Sequence, residues 1–294
     1  DIKQEKKVNE QIFEQANQLL EEAKKGIEAG VTVADPKNNN GIIHPPEWNK
    51  LVKLAELRQN IMLTGPSGCG KTHNCEVLAK HLDLEFGFIS CTSGISESEF
   101  RGRIVPNISD GSFTYVPSIF VKLYENGGVL LLDELDAADG NTIIFINTAL
   151  ANQQMYIDIR DSAPIVNRHP DFICIAATNT LGHGADDDYT ERNMLDLATL
   201  DRFRSGIIKM DYSVEVERLL VNKHVLDWGI KIRNLIKQHK YQHTMSTRVM
   251  MNYSQQADKY GWGRKEWERS YFADWSDDEI RIAQAKNVML KEGE

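Results

Sequence analysis

The sequence predicts an α/β fold, a mostly parallel sheet sandwiched between helices, followed by a smaller all-helical domain. Three observations predict it. Five apolar segments, "NIMLT" (60–64), "LEFGFISC" (84–91), "GGVLLLD" (127–133), "DFICIAAT" (171–178) and "GIIKMDY" (206–212), alternate with helix-compatible stretches. Two of them, "GGVLLLD" and "DFICIAAT", are apolar almost throughout, as strands covered on both faces are. After Tyr212 the strand pattern stops, and Ser213, Ser246 and Ser276 stand ahead of helical runs as N-caps, the last with Glu279 three residues on as a capping box.

Taken in order, residues 1–29 place Ile12, Ala16, Leu19, Leu20, Ala23 and Ile27 at helical spacing among charges, which predicts an amphipathic helix. "ADPKNNNG" breaks it, so 30–41 reads as a linker. Residues 42–212 form the expected α/β core and 213–294 the helical domain. Inside the core, "RIVPNISDGSFTYV" has two short runs around Asp110-Gly111, a hairpin over about 101–116. "MYIDIRDSAPIV" predicts a second hairpin over about 155–166.

The composition of the 294 residues, 41% hydrophobic and 26% charged, is that of an ordinary globular chain, with no run long and apolar enough for a membrane span. Nothing at the start of the sequence suggests secretion. Cys69, Cys75, Cys91 and Cys174 lack metal-ligand spacing, and a reducing, cytoplasmic compartment is expected. The formal charge of −9 argues against a surface that coats nucleic acid, because backbone binding works by neutralising phosphates.

The chemistry concentrates at "GPSGCGKT" (65–72), which fits G-x-x-x-x-G-K-[ST] at every fixed position. The glycines let backbone N–H groups converge on phosphate oxygens, Lys71 reaches the β- and γ-phosphates, and the Thr72 hydroxyl suits Mg²⁺. Gly65, Pro66, Ser67, Gly68, Cys69, Gly70, Lys71, Thr72 and His73 therefore form the expected nucleotide-binding segment. "GGVLLLDELD" ends an apolar strand in Asp133, suited to hold the metal, and Glu134, suited to polarise an attacking water. Asn179, ending "CIAATN", offers a neutral amide to a γ-phosphate, or is a turn residue.

With these motifs in place, the chain resembles the AAA+ ATPases. "GPSGCGKT" resembles Walker A, "VLLLDE" Walker B, Asn179 sensor 1, "LDRF" (200–203) the arginine-finger segment and "STR" (246–248) sensor 2. The resemblance implies a five-stranded parallel sheet of order 5-1-4-3-2 with a helical lid, ATP and Mg²⁺ as cofactors, and a homo-oligomer, a hexameric ring. It makes Arg202 the finger acting in trans on a neighbour's nucleotide, with Arg204 as runner-up, and Arg248 the lid arginine. "GRIVP", "LYENGGVLLLDELDAAD", "ATLDRF" and the two hairpins resemble the MoxR-type, helix-2-insert branch, closest to the cobaltochelatase small-subunit ATPase and related phage-encoded proteins. That branch implies an ATP-driven remodeller of a protein partner, one carrying a metal-ion-dependent adhesion domain in some cases. The alternative is a nucleic-acid motor or loader of the McrB-like type.

Some residues stay open on sequence alone. "GIIHPPEWNKLVKLAE" departs from the family's usual opening, so Ile42, Ile43 and His44 are candidates for adenine contacts or plain linker residues. "GADDDYTE" (184–191) is a solvated acidic loop or a cation site. Phe113 and Tyr115 grip a polymer or pack on their own hairpin. "WGRKEWERSYFADW" packs on the lid or docks a partner.

Overall fold

The computed structural model describes residues 44–92, 94–96, 98–107, 111–160, 162–180 and 195–290. The N-terminal helix and linker expected at 1–41, Ile42, Ile43, Asp110 and the acidic stretch 184–191 lie outside the described residues. The chain divides into two compact units, 1–48 and 49–294. Within the first, the imidazole of His44 stacks on Trp48, ring centroids 3.8 Å apart and planes 5° off parallel.

The second unit is built on five parallel strands: β1 (Ile61–Thr64), β2 (Phe86–Ser90), β5 (Gly128–Asp133), β8 (Phe172–Thr178) and β9 (Ile207–Lys209). Their spatial order is β2-β5-β8-β1-β9. Numbered one to five in chain order, these sheet strands run 5-1-4-3-2 from the β9 edge. Every residue of β1 and β8 is buried, which explains their unbroken apolar sequence. β9 stops at Lys209, three residues short of the "GIIKMDY" segment. The Met210 amide still donates to Thr64 O at 2.7 Å, but β1 ends there and the next residue, Gly65, begins a turn.

Helices cover both faces, as parallel strands require. They are α1 (Trp48–Glu56), α2 (Lys71–His81), α3 (Ser98–Arg101), α4 (Ile119–Asn126), α5 (Gly140–Asn152) and α6 (Leu197–Phe203). One face holds a tight aromatic group, in which Phe120, Tyr124 and Phe172 are fully buried and Tyr124 meets Phe172 edge-on at 5.0 Å. Two antiparallel pairs stand off the sheet, β3 (Arg103–Pro106) with β4 (Phe113–Val116) and β6 (Gln154–Tyr156) with β7 (Ile165–Asn167).

Beyond Tyr212 the chain is helical: α7 (Val214–Leu220), α8 (Lys223–His239), α9 (Thr247–Tyr260), α10 (Arg264–Tyr271) and α11 (Asp277–Ala285). Ser213, Ser246 and Ser276 cap α7, α9 and α11 through their hydroxyls, and Glu279 completes the capping box on α11. The aromatic stretch at 262–275 is largely internal. Trp267, Phe272 and Trp275 are buried with Trp228 in the core of this helical part.

Candidate functional site

Parallel strands bring their carboxyl ends to one rim of the sheet, where the loops that follow can converge. The loop after β1 is the glycine-rich segment. Gly68 has φ +70°, and a β-carbon built there would lie 2.8 Å from Ser246 Cβ and 3.5 Å from Arg248 Cβ, so only glycine fits between this loop and the start of α9. Gly70, at φ +93°, turns the chain into α2, whose first residue is Lys71.

The Lys71 side chain is buried, and its ammonium donates to Gly65 O at 2.7 Å, Pro66 O at 3.1 Å and Asn179 Oδ1 at 2.9 Å. Burial pushes its pKa below the ordinary lysine value, while nearby Cys69, Asp133, Asp136 and Glu134 pull the other way. Thr72 Oγ1 donates to Asp133 Oδ2 at 3.2 Å. A hydroxyl and a carboxylate meeting at that distance are hard oxygen donors of the kind a magnesium ion selects, so the residues present fit a Mg²⁺-nucleotide. His73 is exposed on the first turn of α2. Cys69 is partly buried, and burial raises its thiol pKa, an effect that Lys71 opposes.

Glu134 follows Asp133 and holds a left-handed backbone, φ +54°, with its amide on Asp133 Oδ1 at 3.1 Å. A non-glycine residue in that region carries backbone strain, and such residues gather at functional sites. The turn it starts drives Asp136 inward. Asp136 is fully buried, and its Oδ2 accepts from the amides of Asn179 and Thr180, at 3.1 and 3.2 Å, and from the Thr180 hydroxyl at 3.2 Å. Sequence reasoning missed this residue. It sets the backbone that aims Asn179 at Lys71.

Lys71, Thr72, Asp133, Glu134 and Asn179 thus come together from the ends of three adjacent strands. Residues 60–203 match the sequence profile of the AAA domain (dynein-related subfamily). That segment, just under half of the chain, is similar to an AAA domain. It is 27% identical over 135 residues to an uncharacterised protein of Staphylococcus saprophyticus, covering 45% of this chain and 51% of that protein. An uncharacterised protein of Staphylococcus aureus strain USA300 is 24% identical over 204 residues, 68% of this chain and 74% of the relative. The chain therefore spans about half the length of the first relative and three quarters of the second. A crystal structure from Cytophaga hutchinsonii aligns with TM-score 0.47 at 18% identity, over 84% of this chain and 67% of that one.

The remaining expected residues are placed as follows. Arg248 is exposed on the first turn of α9, its Cβ against the Gly68 turn of the phosphate loop. Arg202, in the last turn of α6, is held within its own chain, Nε donating to Asn147 O at 3.1 Å and Nη1 to Ala198 O. Arg204 is exposed, and among the described residues it makes no hydrogen bond or ion pair. Phe113 is 72% exposed at the end of the β3–β4 pair, whereas the Tyr115 hydroxyl donates to Arg101 O at 2.6 Å. Among the described residues no helix is long and apolar enough to cross a membrane, and no group of three or more His, Cys, Asp or Glu is placed to hold a metal.

Proposed function

We propose that the AAA domain binds and hydrolyses ATP with Mg²⁺, and that the protein works as a homo-oligomeric ring remodelling a protein partner. One observation carries the ATPase reading. Lys71 Nζ lies 2.9 Å from Asn179 Oδ1 while its neighbour Thr72 lies 3.2 Å from Asp133, so the phosphate, metal and water-positioning groups share one small volume. Thr72 and Asp133 would hold the metal ion, whose contribution would be positive charge beside the phosphate oxygens. Lys71 exchanges its loop carbonyls for phosphate oxygens, Asn179 steadies the γ-phosphate side, and Glu134 orients the attacking water and takes its proton.

Arg248 closes the lid side of the site. An arginine at the end of α6 stabilises the developing charge on a neighbour's nucleotide. Arg204 suits this better than Arg202, whose guanidinium already serves its own chain. A protein partner fits better than nucleic acid because the β3–β4 pair exposes Ile104, Val105, Phe113 and Val116 on a chain of net charge −9. Those exposed strands and the sequence resemblance support the MoxR-like assignment.

Calorimetry with phosphate release tests the chemistry. Lys71→Ala should lose ATP binding, whereas Glu134→Gln should keep it and stop turnover, because Glu134 acts only as water attacks. Equal loss of affinity in both variants would refute the assignment. Arg204→Ala should bind ATP normally but hydrolyse it about 10³-fold or more slowly, the scale of an arginine finger. Mixing it with Lys71→Ala should restore part of the turnover. No recovery in mixed rings proven to co-assemble would place the finger elsewhere.

A further inference from the structure

The phosphate loop and the lid share a second connection, through residues that the site described above does not use. Tyr212 follows the last sheet strand, and its hydroxyl donates to the carbonyl of Ser67, in the middle of the loop, at 2.8 Å. The Arg233 guanidinium lies over the Tyr212 ring, 3.8 Å from its centroid, a cation–π contact. Arg233, on α8, is bidentate on Glu217 of α7 at 2.7 and 2.6 Å, and its Nε donates to Met245 O at 2.7 Å. The Glu217 side chain is 1% exposed. Its Oε1 also accepts from the Thr247 hydroxyl at 2.5 Å, and Thr247 is the residue before Arg248.

A buried ion pair is a poor source of stability, since desolvation cancels much of its attraction, but a bidentate one fixes the plane and position of a guanidinium. Here that fixed plane sets where the Tyr212 ring lies, and hence where its hydroxyl meets the loop. With Ser67 O tethered, the adjacent Gly68 cannot shift toward α9 without breaking the tether or closing a gap too small for a β-carbon, which would lie 2.8 Å from Ser246 Cβ and 3.5 Å from Arg248 Cβ.

We propose that Tyr212 is a positioning residue for the phosphate loop, and that Tyr212, Arg233, Glu217 and Thr247 form a strut coupling the loop's nucleotide-dependent position to the Arg248 end of α9. The proposal rests on the reading of this loop as an ATP site. It makes the lid respond to the γ-phosphate by one route, the Arg248 contact, whose position the strut sets. The strut keeps loop and lid in step.

The test is calorimetric binding of ATP and of ADP to the full chain. Tyr212→Phe removes only the hydroxyl and leaves the ring under Arg233, so the lid keeps its packing. The preference for ATP over ADP should fall about three- to tenfold, the scale of one hydrogen bond. Thr247→Val, at the far end of the strut, should move it the same way. The double variant Tyr212→Phe/Arg248→Ala should show little further loss beyond the larger single effect, because both residues act through one element. An unchanged preference in Tyr212→Phe, or losses that simply multiply in the double variant, would overturn the proposal. Lys71→Ala separates the two levels. If it still binds ATP, the nucleotide reading falls and the strut with it. If it loses ATP while Tyr212→Phe keeps the wild-type preference, the strut alone falls.

Discussion

Replacing Asp136 with Ala should damage turnover far more than ATP binding, although Asp136 touches no expected ligand group. Its Oδ2 takes three donors: the amides of Asn179 and Thr180 and the Thr180 hydroxyl. The hydroxyl can rotate to another acceptor. The two amides cannot, and a buried donor left unmade costs about 1–3 kcal/mol, so Asp136→Ala should destabilise the fold by about 2–6 kcal/mol. The loop would relax by turning those amides outward, which carries the Asn179 side chain away from Lys71, now 2.9 Å distant. Lys71 loses that one partner and the pull of one nearby carboxylate but keeps Gly65 O and Pro66 O, and the loop glycines are untouched, so ATP affinity should change little. Displacing Asn179 from the γ-phosphate side should lower turnover about 10²-fold, the usual scale for losing one preorganised donor. Urea unfolding, calorimetry and phosphate release on the same preparation give the three numbers. Asp136→Asn is the control, because its amide oxygen can still accept from one of the two amides and should recover part of both effects. A variant Asp136→Ala that unfolds at the wild-type midpoint and turns over normally would refute the reasoning.

Arg233→Met leaves the 1%-exposed Glu217 side chain without its counter-charge and should cost about 3–5 kcal/mol, while Arg233→Met/Glu217→Leu should recover most of it; urea denaturation measures both. Gly68→Ala puts a methyl 2.8 Å from Ser246 Cβ on a left-handed backbone and should weaken ATP binding at least tenfold while lowering the melting temperature. ATP affinity should also decline at alkaline pH before an ordinary lysine would titrate. Burial holds the Lys71 pKa below 10.5, and only its ammonium attracts phosphate, so above the lowered pKa each ATP bound must bring a proton with it. Calorimetry across pH against Lys71→Arg checks this, and identical profiles would contradict it.

The parts legible in the sequence are those in which local pattern and chemistry coincide. β5 and β8 could be read because strands covered on both faces have no room for polar residues, and the phosphate loop because its glycines stand at fixed spacing. Asp136 could not. "DELDAAD" holds four carboxylates in seven residues, and only the turn begun at the left-handed Glu134 decides which one points inward. Arg202 and Arg204 lie two positions apart, and what engages Arg202 is the carbonyl of Asn147, 55 residues away. The sequence places Tyr212 at the end of a strand segment. Its role comes from the loop and helix that meet it, and no periodicity records that.

The Lys71 ammonium already has three oxygen partners, all neutral. On the proposed reading, nucleotide binding at this loop is an exchange reaction, whose affinity is the difference between phosphate oxygens and amide oxygens as acceptors. Weak or singly charged anions gain little from such an exchange, and a polyphosphate gains at several oxygens at once. The arrangement filters ligands by charge density before any contact with base or sugar, which suits a site that must ignore the chloride and monovalent phosphate around it.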